Sequence, residues 1–209
     1  MGVAFVLALT VLVLVDWSPL QTFDRRLVEA AHRQVVDHSA LLTAARAVSD
    51  LGDPVVVTSL SALLAVALWV LRRRRAALAA LVIRVAAMLT SSGLKAAVDR
   101  PRPHFTDAVA HASNASFPSG HALGSAALWA TAAMLLVPRV GRWPALGLAV
   151  VVPVLVGVAR VLLGVHWPSD VVAGLCLGWL LAAAGVTALA AATFSGGSGS
   201  VHRPFTRRT

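Results

Sequence analysis

Residues 144–163 read PALGLAVVVPVLVGVARVLL and residues 170–194 read DVVAGLCLGWLLAAAGVTALAAATF, with only GVHWPS between them. Each run is long enough to cross a bilayer as a helix, for which about 20 apolar residues suffice. The chain therefore crosses, turns and crosses back. Working outward, further apolar stretches lie at 2–15, 54–71, 76–98 and 121–138, the first and fourth of the six on the short side. The expected fold is all-α, a polytopic membrane protein built as a six-transmembrane-helix bundle. The first stretch has no basic segment ahead of it and no small-x-small cleavage site before Asp16-Trp17, so it reads as a retained helix rather than a signal peptide.

Composition agrees. Hydrophobic residues make up 58% of the 209 and charged residues 13%, too apolar for an ordinary soluble domain. The net charge of +9 is nearly all arginine, Lys95 being the only lysine. No basic face interleaved with aromatics is visible, so nucleic acid is not an expected partner. Arginines that flank apolar runs meet anionic lipid head groups instead. Cys176, the sole cysteine, lies inside an apolar run and reads as a small buried hydrophobe; no intrachain disulfide is possible.

The residues left over organise the rest. Residues 17–53 are the longest connection, with Leu27, Ala30, Ala31 and Val35 at helical spacing opposite Arg26, Glu29 and Arg33. This predicts an interfacial amphipathic helix between the first two spans. A solvated connector is preferred here over a lid on the membrane surface. A second short helix is expected near Leu41 to Val48, before the break at Gly52-Asp53-Pro54. The expected domain is a single membrane-embedded unit over 1–194. It is followed by a disordered, basic, cytoplasmic tail over 195–209, Gly/Ser-rich and then Arg-rich. With both termini cytoplasmic, Arg72 to Arg75, Arg139, Arg142 and the tail arginines fall inside, and all nine acidic residues fall outside.

Three polar clusters interrupt the apolar chain, all on the outer side: Lys95 to Arg102-Pro103, Pro118-Ser119-Gly120-His121, and Arg160 with His166 and Asp170. So many charges at membrane edges are costly unless something anionic is bound there. Ser119 suits the N-cap of a helix whose first turn offers unpaired N–H groups and a positive dipole end. Gly120 lets a phosphate approach that backbone, and His121 brings a proton that titrates near neutral pH. Pro168 suits an early helical position, which puts Asp170 in the first turn beside His166. There Asp170 can accept the Nδ1–H of His166 and leave Nε2 free as a nucleophile toward phosphorus. Arg102, stiffened by Pro101 and Pro103, and Arg160 suit bidentate contact with phosphate oxygens, with Lys95 as a point charge. The chain reads as a membrane enzyme for phosphate esters.

The pattern Lys-x6-Arg-Pro, Pro-Ser-Gly-His, Arg-x5-His-x3-Asp resembles the type 2 phosphatidic acid phosphatase superfamily, by motif over 95–170 and by the six-span layout. The resemblance implies hydrolysis of a phosphomonoester or diphosphate lipid through a phosphohistidine without a metal. Phosphatidic acid, phosphatidylglycerol phosphate and polyprenyl diphosphate are the substrate classes it implies. His166 would attack, Asp170 orient it and His121 protonate the leaving oxygen, while Lys95, Arg102, Ser119, Gly120 and Arg160 hold the phosphoryl group. The family usually has serine where this chain has Ala159, which removes one phosphate donor.

Expected partners are the lipid phosphate and membrane lipids; oligomeric state is not legible. No cofactor is expected. His121, His166 and Asp170 form a facial triad on paper, but the neighbouring cations would repel a metal. The rival readings are transfer of the phosphoryl group to a lipid or sugar hydroxyl, and a non-catalytic lipid-phosphate binding or translocating protein. Arg84 is expected to be structural, His104 and His111 ordinary loop residues, and Arg100 a head-group contact. Asp99 fits either a pair with Lys95 or the site. Asn114 begins a glycosylation sequon that has meaning only in a glycosylating host.

Overall fold

The computed structural model describes residues 2–195, and of residues 138–140 and 193–195 only the backbone. The expected tail lies outside the described residues, apart from Ser195 at the end of the last helix. Eight helices follow in order: α1 Gly2–Leu14, α2 Ser18–Asp37, α3 Ser39–Asp50, α4 Pro54–Val70, α5 Arg74–Val98, α6 Gly120–Val140, α7 Arg142–Leu162 and α8 Pro168–Ser195. No strand occurs among the described residues.

Helices α5 to α8 are each long and apolar enough to cross a membrane. The number rises to six if the bent pairs α1–α2 and α3–α4, with bends of 91° and 45°, each count as one span. The 13 residues of α1 reach about 20 Å at 1.5 Å per residue, against a hydrocarbon core of about 30 Å. That shortfall is why the first stretch read as short. Large apolar side chains such as Val55, Leu63, Leu89 and Val151 remain exposed on the outer faces, where a bilayer covers them.

Helix α6 is the hub, packed by α7 and α8 and flanked by α4 and α5. Small residues permit this closeness: a Cβ on Gly178 would lie 2.4 Å from the Leu123 carbonyl oxygen, and one on Gly174 2.6 Å from that of Ser119. The helix ends follow local chemistry. Asp53 caps α4, accepting from Val55 N–H at 2.8 Å with Pro54 in the first turn. Exposed Asp99, in a left-handed conformation with φ 43°, ends α5; it neither pairs with Lys95 nor faces the site. Gly164, with φ +70°, turns the chain between α7 and α8 where a Cβ would meet Phe105 at 2.9 Å.

The connection 17–53 differs from expectation. It is not a solvated connector: Val28 and Val35 are fully enclosed, and α2 and α3 pack on α7. The buried face of α2 is Asp24, Val28, His32 and Val35, about one residue round from the expected stripe. Leu27 and Ala31 instead line an apolar groove against α7 and α8. Arg84 has the interhelical role expected, donating to Thr58 Oγ1 from Nε and Nη2 at 3.1 and 2.7 Å and to the Pro54 carbonyl at 3.2 Å.

Candidate active site

One end of the bundle gathers the C-terminal ends of α3, α5 and α7, the N-terminal ends of α4, α6 and α8, and the loop 99–119. A cavity of about 460 Å³ opens there, with Lys95, Arg102, Gly120, His121, Arg160 and His166 in its wall. Six of the eight residues singled out from the sequence thus share one cavity. The other two support it from behind. Ser119, fully buried, caps α6 by accepting from Ala122 N–H at 3.5 Å, and its own N–H donates to the Asp170 carbonyl at 3.0 Å. Asp170, also fully buried, stands behind His166 in the first turn of α8.

The imidazole of His166 is held from both sides. Its Nδ1 lies 3.4 Å from Asp170 Oδ2, and its Nε2 lies 3.1 Å from Arg102 Nη1. A guanidinium offers only donors, so Nε2 must be the acceptor and the proton sits on Nδ1, facing Asp170. Burial pushes the imidazole down to about 4; the hydrogen bond and charge of Asp170 oppose this, while Arg102 and Arg160 add to it. At neutral pH the ring is uncharged, and its Nε2 lone pair accepts from Arg102 at the cavity wall.

The cations are fixed rather than loose. Arg102 donates to the Val165 carbonyl at 2.6 Å, the Asn114 carbonyl at 2.9 Å and Asn114 Oδ1 at 3.0 Å. Asn114, with φ 73°, is therefore a structural part of the cradle rather than a spare surface sequon. Burial lowers the Arg102 pKa, opposed by Asp170. Lys95 Nζ donates to the Ala115 carbonyl. Arg160 Nη1 donates to Ser49 Oγ at 2.9 Å, and its buried Nε has no partner among the described residues. Such a donor awaits an acceptor. Ala159 packs with Ala45, Leu163 and Val165 and takes no part in the cavity wall.

Sequence reasoning missed a second layer. Arg100, expected to touch head groups, turns inward and bridges two enclosed carboxylates: Asp170 Oδ1 at 2.6 Å and Asp24 Oδ2 at 2.8 Å. Asp24 also accepts from the N–H and hydroxyl of Ser169, at 2.9 and 2.5 Å. Trp167 lies against the Arg100 guanidinium, 5.5 Å away, and donates its indole N–H to the Pro101 carbonyl at 2.8 Å. The reason is electrostatic: a carboxylate on the inner face of α2 needs an enclosed cation, and Arg100 supplies it. A readable signal existed, since Asp24 shares a helical face with Val28 and Val35. Asp50, Asp53 and His111 also reach the cavity wall. Among the described residues, no three His, Cys, Asp or Glu side chains converge as a metal site.

Residues 76–194, more than half the chain, match the PAP2 superfamily. A decaprenylphosphoryl-5-phosphoribose phosphatase from Mycobacterium tuberculosis is 36% identical over 152 residues, 71% of this chain and 81% of the relative. The chain belongs to the PAP2 superfamily. Phosphatidylglycerophosphatase B of Bacillus subtilis is 41% identical over 98 residues, 44% of this chain; the match spans about half of that relative, 48%. The crystal structure of a transmembrane PAP2-type phosphatidylglycerolphosphate phosphatase from B. subtilis superposes with a TM-score of 0.81 at 26% identity, covering 96% of this chain and 97% of that one. With four helices apolar enough to span and a membrane PAP2 protein as its structural counterpart, the chain is an integral membrane protein.

Proposed function

We propose that this PAP2 protein is a metal-independent lipid phosphate phosphatase acting through a phosphohistidine on His166. One observation carries the reading: an uncharged imidazole, backed by a carboxylate that accepts its Nδ1–H, faces a cavity walled by Lys95, Arg102 and Arg160. The substrate phosphoryl group displaces the Arg102–Nε2 contact and takes hydrogen bonds from Arg102, Arg160, Lys95 and the first turn of α6 at Gly120. The Nε2 lone pair attacks phosphorus as the P–O bond to the lipid breaks, and His121 gives the leaving oxygen its proton. Asp170 stabilises the positive charge that grows on the ring. Water then attacks the phosphohistidine, passing a proton to His121 as the P–N bond breaks and phosphate leaves.

The chain forms one membrane-embedded domain over 1–194 with six spans and an interfacial helix, α2. The site opens on the extracytoplasmic side, and both termini are cytoplasmic. Arginine placement supports this, since Arg72 to Arg75 lie at the α4–α5 turn and Arg142 at the α6–α7 turn, at the end away from the site. Phosphate release from phosphatidic acid, phosphatidylglycerol phosphate and polyprenyl diphosphates, assayed in detergent with chelator, tests the reading. Release from at least one lipid is expected. Activity that collapses on chelation, or that His166→Ala leaves intact, would sink it.

A further inference from the structure

A second, smaller cavity of about 160 Å³ leads from the catalytic one into the bundle between α4, α5 and α6, and the two share Pro54, Ser91, Ser92 and Gly120 in their walls. At its inner wall stands Arg84, which is only 9% exposed. Arg84 and Lys95 are 11 residues apart on α5, three turns on one face, and Ser91 lies on that face between them. The Arg84 side chain reaches back up toward the site: Nη2 touches the carbonyl of Pro54, itself a wall residue of the catalytic cavity. Nε and Nη2 are occupied by Thr58 and Pro54, whereas Nη1 has no hydrogen-bond partner among the described residues. On that side Gly124 leaves room, since even a Cβ there would stand 3.7 Å from Nη1.

An arginine near the middle of a spanning helix is costly to insert, and a role as interhelical staple uses only part of its donor fork. We infer that Arg84, with the hydroxyls of Ser91 and Ser92, forms a second anion subsite that takes the phosphodiester of a lipid whose scissile phosphomonoester sits against His166. This deepens the proposed function and rests on it. It selects lipids in which a short polyol links two phosphates, one terminal and one joined to the chains, over lipids with a single phosphate. Such a ligand spans the shared wall: its terminal phosphate fills the cationic cradle, its polyol passes Ser91 and Gly120, and its diester meets Nη1.

The test uses the full-length protein in detergent, with Arg84→Gln and Arg84→Lys. The ratio of kcat/KM for phosphatidylglycerol phosphate to that for phosphatidic acid, with identical acyl chains, should fall about tenfold in Arg84→Gln and less in Arg84→Lys. Equal losses on both lipids would reduce Arg84 to a staple and overturn the inference. A second arm needs no turnover: binding of short-chain phosphatidylglycerol, relative to diacylglycerol of the same chains, should weaken about tenfold in Arg84→Gln, while inorganic phosphate binding moves less than twofold. Unchanged phosphatidylglycerol binding overturns the subsite. Weakened binding with an unmoved substrate ratio marks a bilayer lipid rather than substrate, and also overturns it. Wild-type protein that hydrolyses neither lipid, nor a polyprenyl diphosphate assayed beside them, refutes the phosphatase reading, and the binding arm still decides the subsite.

Discussion

Arg100 does not line the proposed catalytic cavity, yet replacing it with methionine should disable the enzyme. Its two carboxylate partners, Asp24 and Asp170, are both fully buried, at 2.8 and 2.6 Å. Removing one member of a buried ion pair typically costs about 3–5 kcal/mol, because the partner's charge stays enclosed without compensation. At about 2–4 °C per kcal/mol for a chain of this size, Arg100→Met should lower Tm by about 6–20 °C. The kinetic effect is separate. Asp170 keeps the Trp167 N–H at 3.0 Å and the His166 contact at 3.4 Å, but loses the ion pair that fixes the carboxylate behind the ring. Misplacing a reacting group by about 1 Å can cost roughly 100-fold, so kcat should fall about that much while KM moves less than threefold. Arg100→Met/Asp24→Asn removes one stranded carboxylate and should recover part of the Tm without recovering kcat. Thermal unfolding in detergent and steady-state kinetics on the same preparations read both effects. An Arg100→Met protein within about 2 °C and threefold in kcat of wild type would refute the reasoning.

Three further outcomes follow from the same geometry. With His166 pushed down to about 4 from an ordinary 6.5, the unfolded chain takes up a proton that the folded chain refuses. The stability gained from keeping the ring neutral is thus complete above about 6.5 and is lost as pH falls toward 4; His166→Gln should flatten that stretch of the Tm–pH curve, and an identical curve would contradict the assignment. Ser49→Ala removes the 2.9 Å partner of Arg160 Nη1 and should raise KM about three- to tenfold with little change in kcat; an unchanged KM would mean that Arg160 is positioned by other contacts. Gly178→Ala would put a Cβ 2.4 Å from the Leu123 carbonyl oxygen; overpacking of about 1–3 kcal/mol should lower Tm by several degrees, and an unmoved Tm would show that α6 and α8 can separate freely.

The parts of the site legible in the sequence are those fixed by short spacings. His166 and Asp170 are one helical turn apart across an N-terminus marked by Pro168, and Ser119 announces the start of α6. The convergence of the three clusters was legible through alternation of spans, since each lies at a helix end on one side. What could not be read depends on packing between elements far apart in the chain. Arg100 pairs with Asp24 across 76 residues, and Arg160 meets Ser49 across 111. Neither pairing is written in local spacing, although the helical face that Asp24 shares with Val28 and Val35 marks the carboxylate as inward, and α2 and α3, read as a connector, supply both partners. The apolar stripe on α2 was misjudged because Leu27 and Ala31 face a groove lined by α7 and α8, whereas the inner face carries a carboxylate that hydrophobicity alone would put outside.

Everything in the proposed chemistry depends on the Nε2 of His166 becoming bonded to phosphorus. Rapid acid-free quenching of the enzyme with a lipid phosphate labelled in its terminal phosphoryl group, followed by peptide mapping, reads that bond directly. A base-stable, acid-labile label is expected on the peptide containing His166, formed before phosphate is released and absent in His166→Ala. Phosphate release in steady state with no label on that peptide, or with the label on another residue, would contradict it.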